Sequence, residues 1–252
     1  MEEIELKEKE RIDDLEFKGL KIIQNEDGFC FGVDSVLLSD FAKKIKKNAK
    51  VIDIGTGTGI ISILLTAKTE LKEITGIEIQ EEVADMARRS SKLNNLQDKF
   101  KVLNIDINNI FEKLNKNEYD AIVTNPPYKK LNTGAKNIEE KKLISRHEIK
   151  CSLEDVIAKS SILLKSLGEF YMVHRSERLA DIMCYLRKYK LEPKEIRFVH
   201  SKTNEKPILI LVKAVKNAKE FLTIDDPLVI YNDDGSYTDE ILKIYDKKRE
   251  EK

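Results

Sequence analysis

The tetrapeptide Asn125-Pro126-Pro127-Tyr128 carries groups that suit an amine on a flat ring. It follows the apolar run 119–124, which predicts a buried parallel strand whose carboxyl end lies where open α/β sheets bind ligands. Two successive prolines hold the backbone extended and leave carbonyls free. Asn125 Oδ1 and the Pro126 carbonyl can each accept one N–H, while Tyr128 stacks on the ring. The alternative is a strand that merely ends in prolines.

The glycine-rich stretch Gly55-x-Gly57-x-Gly59 lies between a short apolar strand, which carries Asp53, and a helical run. A glycine turn at a helix N-terminus is typical of sites for nucleotide-like ligands. Its spacing differs from the G-x-G-x-x-G that binds a pyrophosphate, and Asp53 would repel phosphate. The same carboxylate suits an amino group on the ligand.

Two further acids close the next two predicted strands. Glu78 ends the strand 74–79, where an acidic side chain takes ribose hydroxyls. Asp106 follows the strand 101–105, where a carboxylate can accept a hydrogen bond from an adenine amine. For each acid alone, a helix cap or a solvated loop is an equal alternative. In order with Asp53, the set predicts a ligand with an ammonium, a ribose and an adenine but no phosphate, which describes S-adenosylmethionine.

From residue 51 onward, strands, turns and helices alternate, with helices predicted at 60–67, 81–93, 153–167 and 176–189. Segments 196–200 and 208–212 then follow each other without a helix and predict a terminal hairpin. The pattern predicts a doubly wound, mostly parallel α/β sheet with one antiparallel strand.

Ahead of this alternation, the acidic leader up to Glu16 predicts a frayed or loosely docked end. Segments 20–24 and 29–31 predict a short hairpin around a turn-forming run. A helix follows, with Asp34 or Ser35 as its predicted N-cap.

The composition is that of a soluble globular chain with a full core, since 41% of 252 residues are hydrophobic and 36% are charged. No apolar run approaches the roughly 20 residues of a membrane span, and the acidic N-terminus does not resemble a signal peptide. Cys30, Cys151 and Cys184 are widely spaced and form no metal-type pair. They predict reduced thiols in a cytoplasm and no metal site.

Basic and acidic side chains number 45 each, yet they are unevenly distributed. Residues 129–150 hold seven basic and three acidic side chains, and residues 187–219 hold ten and three. A local basic surface can steer a polyanion even when the total charge is zero. An ordinary solvated surface is the alternative.

The segment from Asp53 to Gly59, together with Glu78, Asp106 and the Asn-Pro-Pro-Tyr tetrapeptide, resembles the amino-methylating branch of class I S-adenosylmethionine-dependent methyltransferases. Segments 31–38, 146–148 and 205–212 are similar to the bacterial tRNA1(Val) (adenine-37-N6)-methyltransferase family. The resemblance spans about residues 15–245.

The resemblance implies a Rossmann-like, seven-stranded methyltransferase domain over residues 49–220. Residues 1–48 would pack on it, and residues 221–252 would form a hairpin and helix appendage. It implies transfer of the methyl of S-adenosylmethionine, leaving S-adenosylhomocysteine, to the N6 amine of an adenosine in RNA, foremost tRNA position 37. A cytoplasmic location, no metal and no membrane partner are expected. A monomer is favoured, and the sequence does not decide the oligomeric state.

The implied site residues fall into three groups. The catalytic residues are Asn125, Pro126 and Tyr128. The cofactor-binding residues are Phe31, Asp53, Gly55, Thr56, Gly57, Glu78, Ile79, Asp106, Ile107 and Asn125. The RNA-binding residues are Lys129, Lys130, Arg146, Arg197 and Lys202. No general base has to act before transfer, so His147 and His174 need no catalytic role.

Three other functions fit parts of the pattern. A protein glutamine-N5 methyltransferase would use the same tetrapeptide, but that family carries a helical domain ahead of the glycine turn, where this chain has about 50 residues. An rRNA guanine-N2 methyltransferase more often has Phe or Trp at the position of Tyr128. An RNA-binding scaffold that keeps the fold without turnover is the third, but it would not need an intact set of Asp53, Glu78, Asp106 and Asn125.

Overall fold

The structure, a computed structural model, describes residues 4–28, 32–128 and 152–247. Within these residues a large sheet is flanked by helices on both faces, and a two-stranded sheet lies beside it. The strands are β1 (Glu10–Asp14), β2 (Lys21–Asn25), β3 (Lys50–Ile54), β4 (Glu73–Glu78), β5 (Phe100–Asn104), β6 (Tyr119–Thr124), β7 (Leu164–Arg175), β8 (Leu191–His200), β9 (Pro207–Lys216), β10 (Thr223–Ile224) and β11 (Leu228–Val229).

The order of strands in the large sheet is β10-β8-β9-β7-β6-β3-β4-β5, with β11 also pairing with β8. Strand β9 runs antiparallel to both β7 and β8, while β3 through β7 are parallel. The short connection between β8 and β9 has no room for a crossover helix, so the two strands must be antiparallel. The predicted doubly wound sheet with its terminal hairpin is confirmed. Two two-residue strands add to the seven that were expected.

Six α-helices lie within the described residues. They are α1 (Val33–Phe41), α2 (Ile60–Lys68), α3 (Glu81–Leu93), α4 (Leu153–Leu163), α5 (Leu179–Lys188) and α6 (Asp239–Ile244). Helices α1, α2, α3 and α6 contribute to the apolar core on one face of the sheet, and α4 and α5 to the core on the other. No helix in this part of the chain is long and apolar enough to cross a membrane.

Alternation along the strands builds these two cores. Tyr171 and Val173 of β7 face the core that contains α1, α2, α3 and α6, here the first core. Phe170 and Met172, which alternate with them, face the second core, which contains α4 and α5. Because both faces are covered, the central strands are apolar at nearly every position. This explains why β6 is buried over its whole length.

The junction between α4 and β7 differs from the sequence prediction. The helix expected to reach residue 167 ends at Leu163, and β7 starts at the next residue. Leu167 has a φ of 62° and lies between Leu164 and Glu169, where the pairing of β7 with β6 shifts register. A helix cannot continue through this conformation. The composition of the segment gave no signal of the break.

The acidic leader is also more ordered than predicted. Strand β1 pairs antiparallel with β2, with Ile12 opposite Ile23, so the expectation of a frayed end up to Glu16 is wrong for Glu10–Asp14. Ile12 is exposed, so the strand shows no apolar alternation by which to recognise it. The other strand expected for this hairpin, 29–31, lies outside the described residues.

The C-terminal segment packs against α1. Leu228, Ile230, Ile241 and Ile244 are buried in the same core as α1 and α2. Helix α6 begins at a cap in which Thr238 Oγ1 accepts a hydrogen bond from the Ile241 N–H. Residues 228–244 therefore complete the first core.

An ion pair fixes the leader to α3. The Arg89 guanidinium donates to both Glu10 carboxylate oxygens, each at 2.6 Å, and also to Asp85 at 3.0 Å. The Glu10 side chain is only 5% exposed. Hydrogen bonds to charged groups of this kind contribute about 1.5–3 kcal/mol each.

We expect Arg89→Gln to lower the free energy of unfolding by about 2 kcal/mol, measured by urea denaturation. Arg88→Gln is the matched control on the same helix, because the Arg88–Glu81 pair is exposed and such pairs contribute about 0–1 kcal/mol. Equal effects of the two substitutions would contradict the structural role of Arg89.

Candidate active site

The carboxyl ends of four adjacent parallel strands form one edge of the sheet. In the order β6-β3-β4-β5 they bring Asn125, Asp53, Glu78 and Asp106 to that edge. The register is direct, since Ile54 of β3 pairs with Thr124 of β6 and with Ile77 of β4. The structure therefore brings the acids and the tetrapeptide predicted from sequence to the same edge of the sheet.

The glycine turn after β3 is held open by the end of β4. Gly55 and Gly57 have φ angles of 71° and 57°, and, their chain neighbours aside, no atom of the described residues lies within 4 Å of the place a Cβ would take. Residues with a side chain rarely adopt this backbone conformation. Because glycine has no Cβ, a ligand can approach the backbone closely at these two positions. The Gly57 N–H donates to Glu78 Oε2 at 3.1 Å, and the Gln80 N–H donates to Oε1 at 3.0 Å. Glu78 thereby fixes the turn while each oxygen keeps a lone pair.

Asp53 is fully buried beneath this turn. Its Oδ2 accepts hydrogen bonds from Thr56 Oγ1 at 2.7 Å and from Ser62 Oγ at 2.8 Å. Its Oδ1 has no partner among the described residues. Burial raises the pKa of Asp53 to about 6, although the two hydroxyl donors oppose that shift. A buried carboxylate oxygen without a donor is costly unless a ligand supplies one.

The side chains of Thr56 and Asp106 form hydrogen bonds with other groups of the protein. Thr56, a predicted cofactor contact, is buried and its hydroxyl serves Asp53. Asp106 caps a short 3-10 helix, with Oδ1 accepting the Asn108 N–H at 2.8 Å. The neighbouring Ile107 is buried and Ile79 is half-buried, which places apolar side chains beside the two acids that end β4 and β5.

The tetrapeptide after β6 is attached to the first turn of α1. Asn125 Nδ2 donates to Ser35 Oγ at 3.2 Å, and the Tyr128 hydroxyl donates to Asp34 Oδ2 at 2.6 Å. The prediction that Asp34 or Ser35 caps α1 is wrong, because Gly32 is the N-cap and makes no side-chain cap. Asp34 and Ser35 both belong to the first turn of α1, and their side chains contact the tetrapeptide.

The end of β7 supplies further side chains around Tyr128. The rings of Tyr128 and His174 are 5.1 Å apart, and the Arg175 guanidinium lies 5.3 Å from the centre of the Tyr128 ring. Burial and the adjacent Asp34 carboxylate raise the pKa of Tyr128, so its hydroxyl stays a donor. Arg175 is exposed.

His174 is neutral at pH 7. Burial lowers the pKa of this imidazole to about 4, and Arg178 acts in the same direction. Nδ1 accepts the Arg175 N–H at 2.8 Å, so the proton is on Nε2. Nε2 is buried without a hydrogen-bond partner among the described residues.

The predicted RNA contacts are divided between described and undescribed segments. Phe31 of the cofactor set and Lys129, Lys130 and Arg146 lie outside the described residues. Arg197 forms an ion pair with Glu240 at 2.7 Å, and Lys202 donates to the Asp233 carbonyl at 3.2 Å.

A family model described as the methyltransferase small domain matches residues 26–186, which is more than half of the chain. The chain belongs to this family of methyltransferases.

Similar proteins agree with this assignment. A tRNA1(Val) (adenine(37)-N6)-methyltransferase from Porphyromonas gingivalis is 28% identical over 90% of this chain and 91% of its own. One of the same name from Pedobacter heparinus is 28% identical over 88% and 92%. A crystal structure of a predicted O-methyltransferase from Agrobacterium tumefaciens has a TM-score of 0.68 and 21% identity, covering 84% of this chain and 95% of that one. The aTrm5 complex with tRNALeu has a TM-score of 0.59 and 16% identity, covering 83% and 53%. At these identities the solved structures support the fold alone.

The site of this methyltransferase fits S-adenosylmethionine. The buried Asp53 Oδ1 offers an acceptor to an ammonium group, and the open glycine turn gives a ligand access to the backbone. Glu78 has lone pairs left for ribose hydroxyls. The bound cofactor supplies an electrophilic methyl group on its sulfonium.

We expect cofactor affinity to depend on the ionisation of Asp53. A ligand ammonium beside Oδ1 favours the carboxylate, so binding releases a proton wherever Asp53 is protonated in the free protein. With a pKa of about 6, the affinity should fall as the pH drops below that value, by up to about tenfold per pH unit.

The measurement is calorimetric titration with S-adenosylmethionine from about pH 5 to about pH 7, with Asp53→Asn as the matched variant. The variant should bind more weakly and lose the pH dependence. A constant dissociation constant for the native protein across this range would remove Asp53 from contact with the ammonium group.

Proposed function

We propose that this methyltransferase transfers the methyl of S-adenosylmethionine to the N6 amine of an adenosine in RNA, namely adenosine 37 of a tRNA. The observation that carries the proposal is the Asn-Pro-Pro-Tyr tetrapeptide at the carboxyl end of β6, next to the glycine turn after β3. The names of the relatives that cover about nine-tenths of the chain support the same substrate.

The proposed roles follow the geometry of the sheet edge. Asn125 and Pro126 accept the two amine hydrogens, and Tyr128 positions the base. Lys129, Lys130, Arg146, Arg197 and Lys202 are the proposed RNA contacts. The proposed cofactor contacts are Phe31, Asp53, Gly55, Thr56, Gly57, Glu78, Ile79, Asp106, Ile107 and Asn125.

The tetrapeptide addresses the weak nucleophilicity of the adenine amine. The lone pair of that nitrogen is delocalised into the ring. Two acceptors placed at Asn125 Oδ1 and the Pro126 carbonyl would favour a pyramidal nitrogen and stabilise the positive charge that develops on it. The proton leaves after transfer, so no base is needed beforehand. The neutral, buried His174 is consistent with that order of events.

An unpaired adenosine in a tRNA loop suits this site. A base in a loop need not be extracted from a duplex, which saves unstacking energy. Arg175 lies over Tyr128 and is exposed, so its guanidinium is available to a phosphate of the same nucleotide or of its neighbour.

The basic segment 187–219 is partly neutralised within the protein. Arg187, Arg197 and Lys213 form ion pairs with Glu192, Glu240 and Glu169. The Arg187 side chain is 58% exposed, and ion pairs at the surface contribute about 0–1 kcal/mol each, so an RNA phosphate can replace the Glu192 carboxylate at little cost. The side chains of Arg197 and Lys213 are half-buried. We therefore retain this segment as a secondary contact to RNA in the proposal.

We expect Asn125→Ala to lower kcat by about 10²–10³, because the substitution removes an acceptor whose hydrogen bond to the amine becomes stronger in the transition state. The assay follows tritiated methyl transfer to unmodified tRNA, with mass spectrometry of the nucleosides and total protein as a parallel substrate. Cofactor affinity, measured by calorimetry, should fall by much less than kcat.

The product distinguishes the proposal from its rivals. N6-methyladenosine at position 37 supports it. N2-methylguanosine, or label found only in a glutamine of a protein, would overturn the substrate. Near-normal turnover of Asn125→Ala on tRNA would overturn the role of the tetrapeptide.

Arg175→Gln should weaken tRNA binding and reduce the slope of log affinity against log salt by about one unit, the change for one lost phosphate contact. Arg88→Gln is the control, since Arg88 is also exposed but lies on α3 in a pair with Glu81. An unchanged salt slope for Arg175→Gln would assign this arginine to the packing of Tyr128 alone.

A further inference from the structure

The first turn of α1 contacts both polar side chains of the tetrapeptide. Ser35 and Asp34 are 4% and 9% exposed, and they bind Asn125 and Tyr128 across 90 or more residues of sequence. Neither residue is the N-cap, which is Gly32. Asp34 Oδ1 accepts the Ser35 N–H within the first turn, but Asp34 Oδ2 and the Ser35 hydroxyl bond the tetrapeptide instead. The contacts require another explanation.

We propose that Ser35 and Asp34 are positioning residues for methyl transfer, which set the orientation of the Asn125 amide and of the Tyr128 ring. This inference rests on the proposed function. It concerns two residues that do not touch the amine themselves and act through the tetrapeptide.

The orientation of the Asn125 amide decides whether it can accept a hydrogen bond from an amine. One end of the amide is an acceptor and the other carries two donors. Turned the wrong way, the NH₂ group would face the N–H bonds of the substrate. In the structure Ser35 Oγ accepts an Nδ2 hydrogen at 3.2 Å, and this is the orientation that leaves Oδ1 for the substrate. A hydroxyl at position 35 therefore acts on the transition state through Asn125.

The carboxylate of Asp34 holds the other end of the tetrapeptide. Oδ2 accepts the Tyr128 hydroxyl at 2.6 Å, and Oδ1 accepts the Ser35 N–H at 2.9 Å. Bonds to a charged acceptor are roughly twice as strong as neutral ones. A Cβ at Gly32 would lie 2.8 Å from Asp34 Oδ1, so glycine at that position makes room for the carboxylate. The Tyr128 ring is thus fixed by its hydroxyl at one end and by His174 and Arg175 beside it.

The first test compares two buried serines of the same helix. Ser39 is fully buried, and its hydroxyl donates to the Val36 carbonyl at 2.7 Å, away from the tetrapeptide. Ser35→Ala should lower kcat on tRNA by about tenfold, the factor that one ordinary hydrogen bond gives. The tRNA KM and the cofactor dissociation constant should stay within about twofold. Ser39→Ala should leave all three unchanged, and Ser35→Thr, which keeps the hydroxyl, should restore most of kcat.

The second test is a double-mutant cycle between Asp34→Asn and Tyr128→Phe. If Asp34 acts through the tyrosine hydroxyl, each single variant should lower kcat by about tenfold and the double variant should be no worse than either. Independent, multiplying losses would overturn the role assigned to Asp34. Equal kcat values for Ser35→Ala and Ser39→Ala would overturn the role assigned to Ser35.

The native protein separates this inference from the proposed function. If the native chain methylates tRNA adenosine and the Ser35 and Asp34 variants have the same kcat as the native chain, only the positioning roles are refuted. Absence of transfer to any RNA by the native chain would refute the proposed function, and with it the basis of the roles proposed here.

Discussion

The site depends on the adjacency of β3 and β6 in the middle of the sheet. The two strands pair directly although two strand–helix units separate them in sequence. From β3 the chain moves outward through β4 and β5, then returns to the other side of β3, so the strand order reverses at this point. Neighbouring connections then leave the sheet in opposite directions, and a crevice opens above the carboxyl ends. The glycine turn and the tetrapeptide must therefore face each other.

The buried Asp53 costs stability in the absence of a ligand. A folded pKa of about 6 means that Asp53 favours folding when protonated, and that this contribution is lost as the pH rises through about 6. At neutral pH the ionised, buried carboxylate therefore weakens the cofactor-free protein. The surrounding apolar cores on both faces of the sheet must offset that cost. A ligand that supplies a cation to Oδ1 would reverse it, which couples cofactor binding to stability.

The elements that sequence predicts well are those specified locally. The glycine turn and the acids after β3, β4 and β5 follow from a few consecutive residues and from the alternation of strand and helix. The contacts of Asp34 and Ser35 do not, because a small polar residue at a helix start is also the pattern of an N-cap, and their partners are 90 or more residues away. Arg175 was missed for a related reason. Its place beside Tyr128 depends on β7 lying next to β6, which only the sheet order reveals.

The placement of α1 connects the segment ahead of the glycine turn to the tetrapeptide. Its apolar side contributes Val36 and Leu37 to the core shared with α2 and α6. Because the helix is fixed on that side, the positions of Asp34 and Ser35 relative to β6 are fixed as well. The C-terminal residues that cover α1 thereby stabilise the tetrapeptide indirectly, through the position of α1. A methyltransferase core cut at residue 49 would retain the cofactor turn but lose both hydrogen-bond partners of the tetrapeptide.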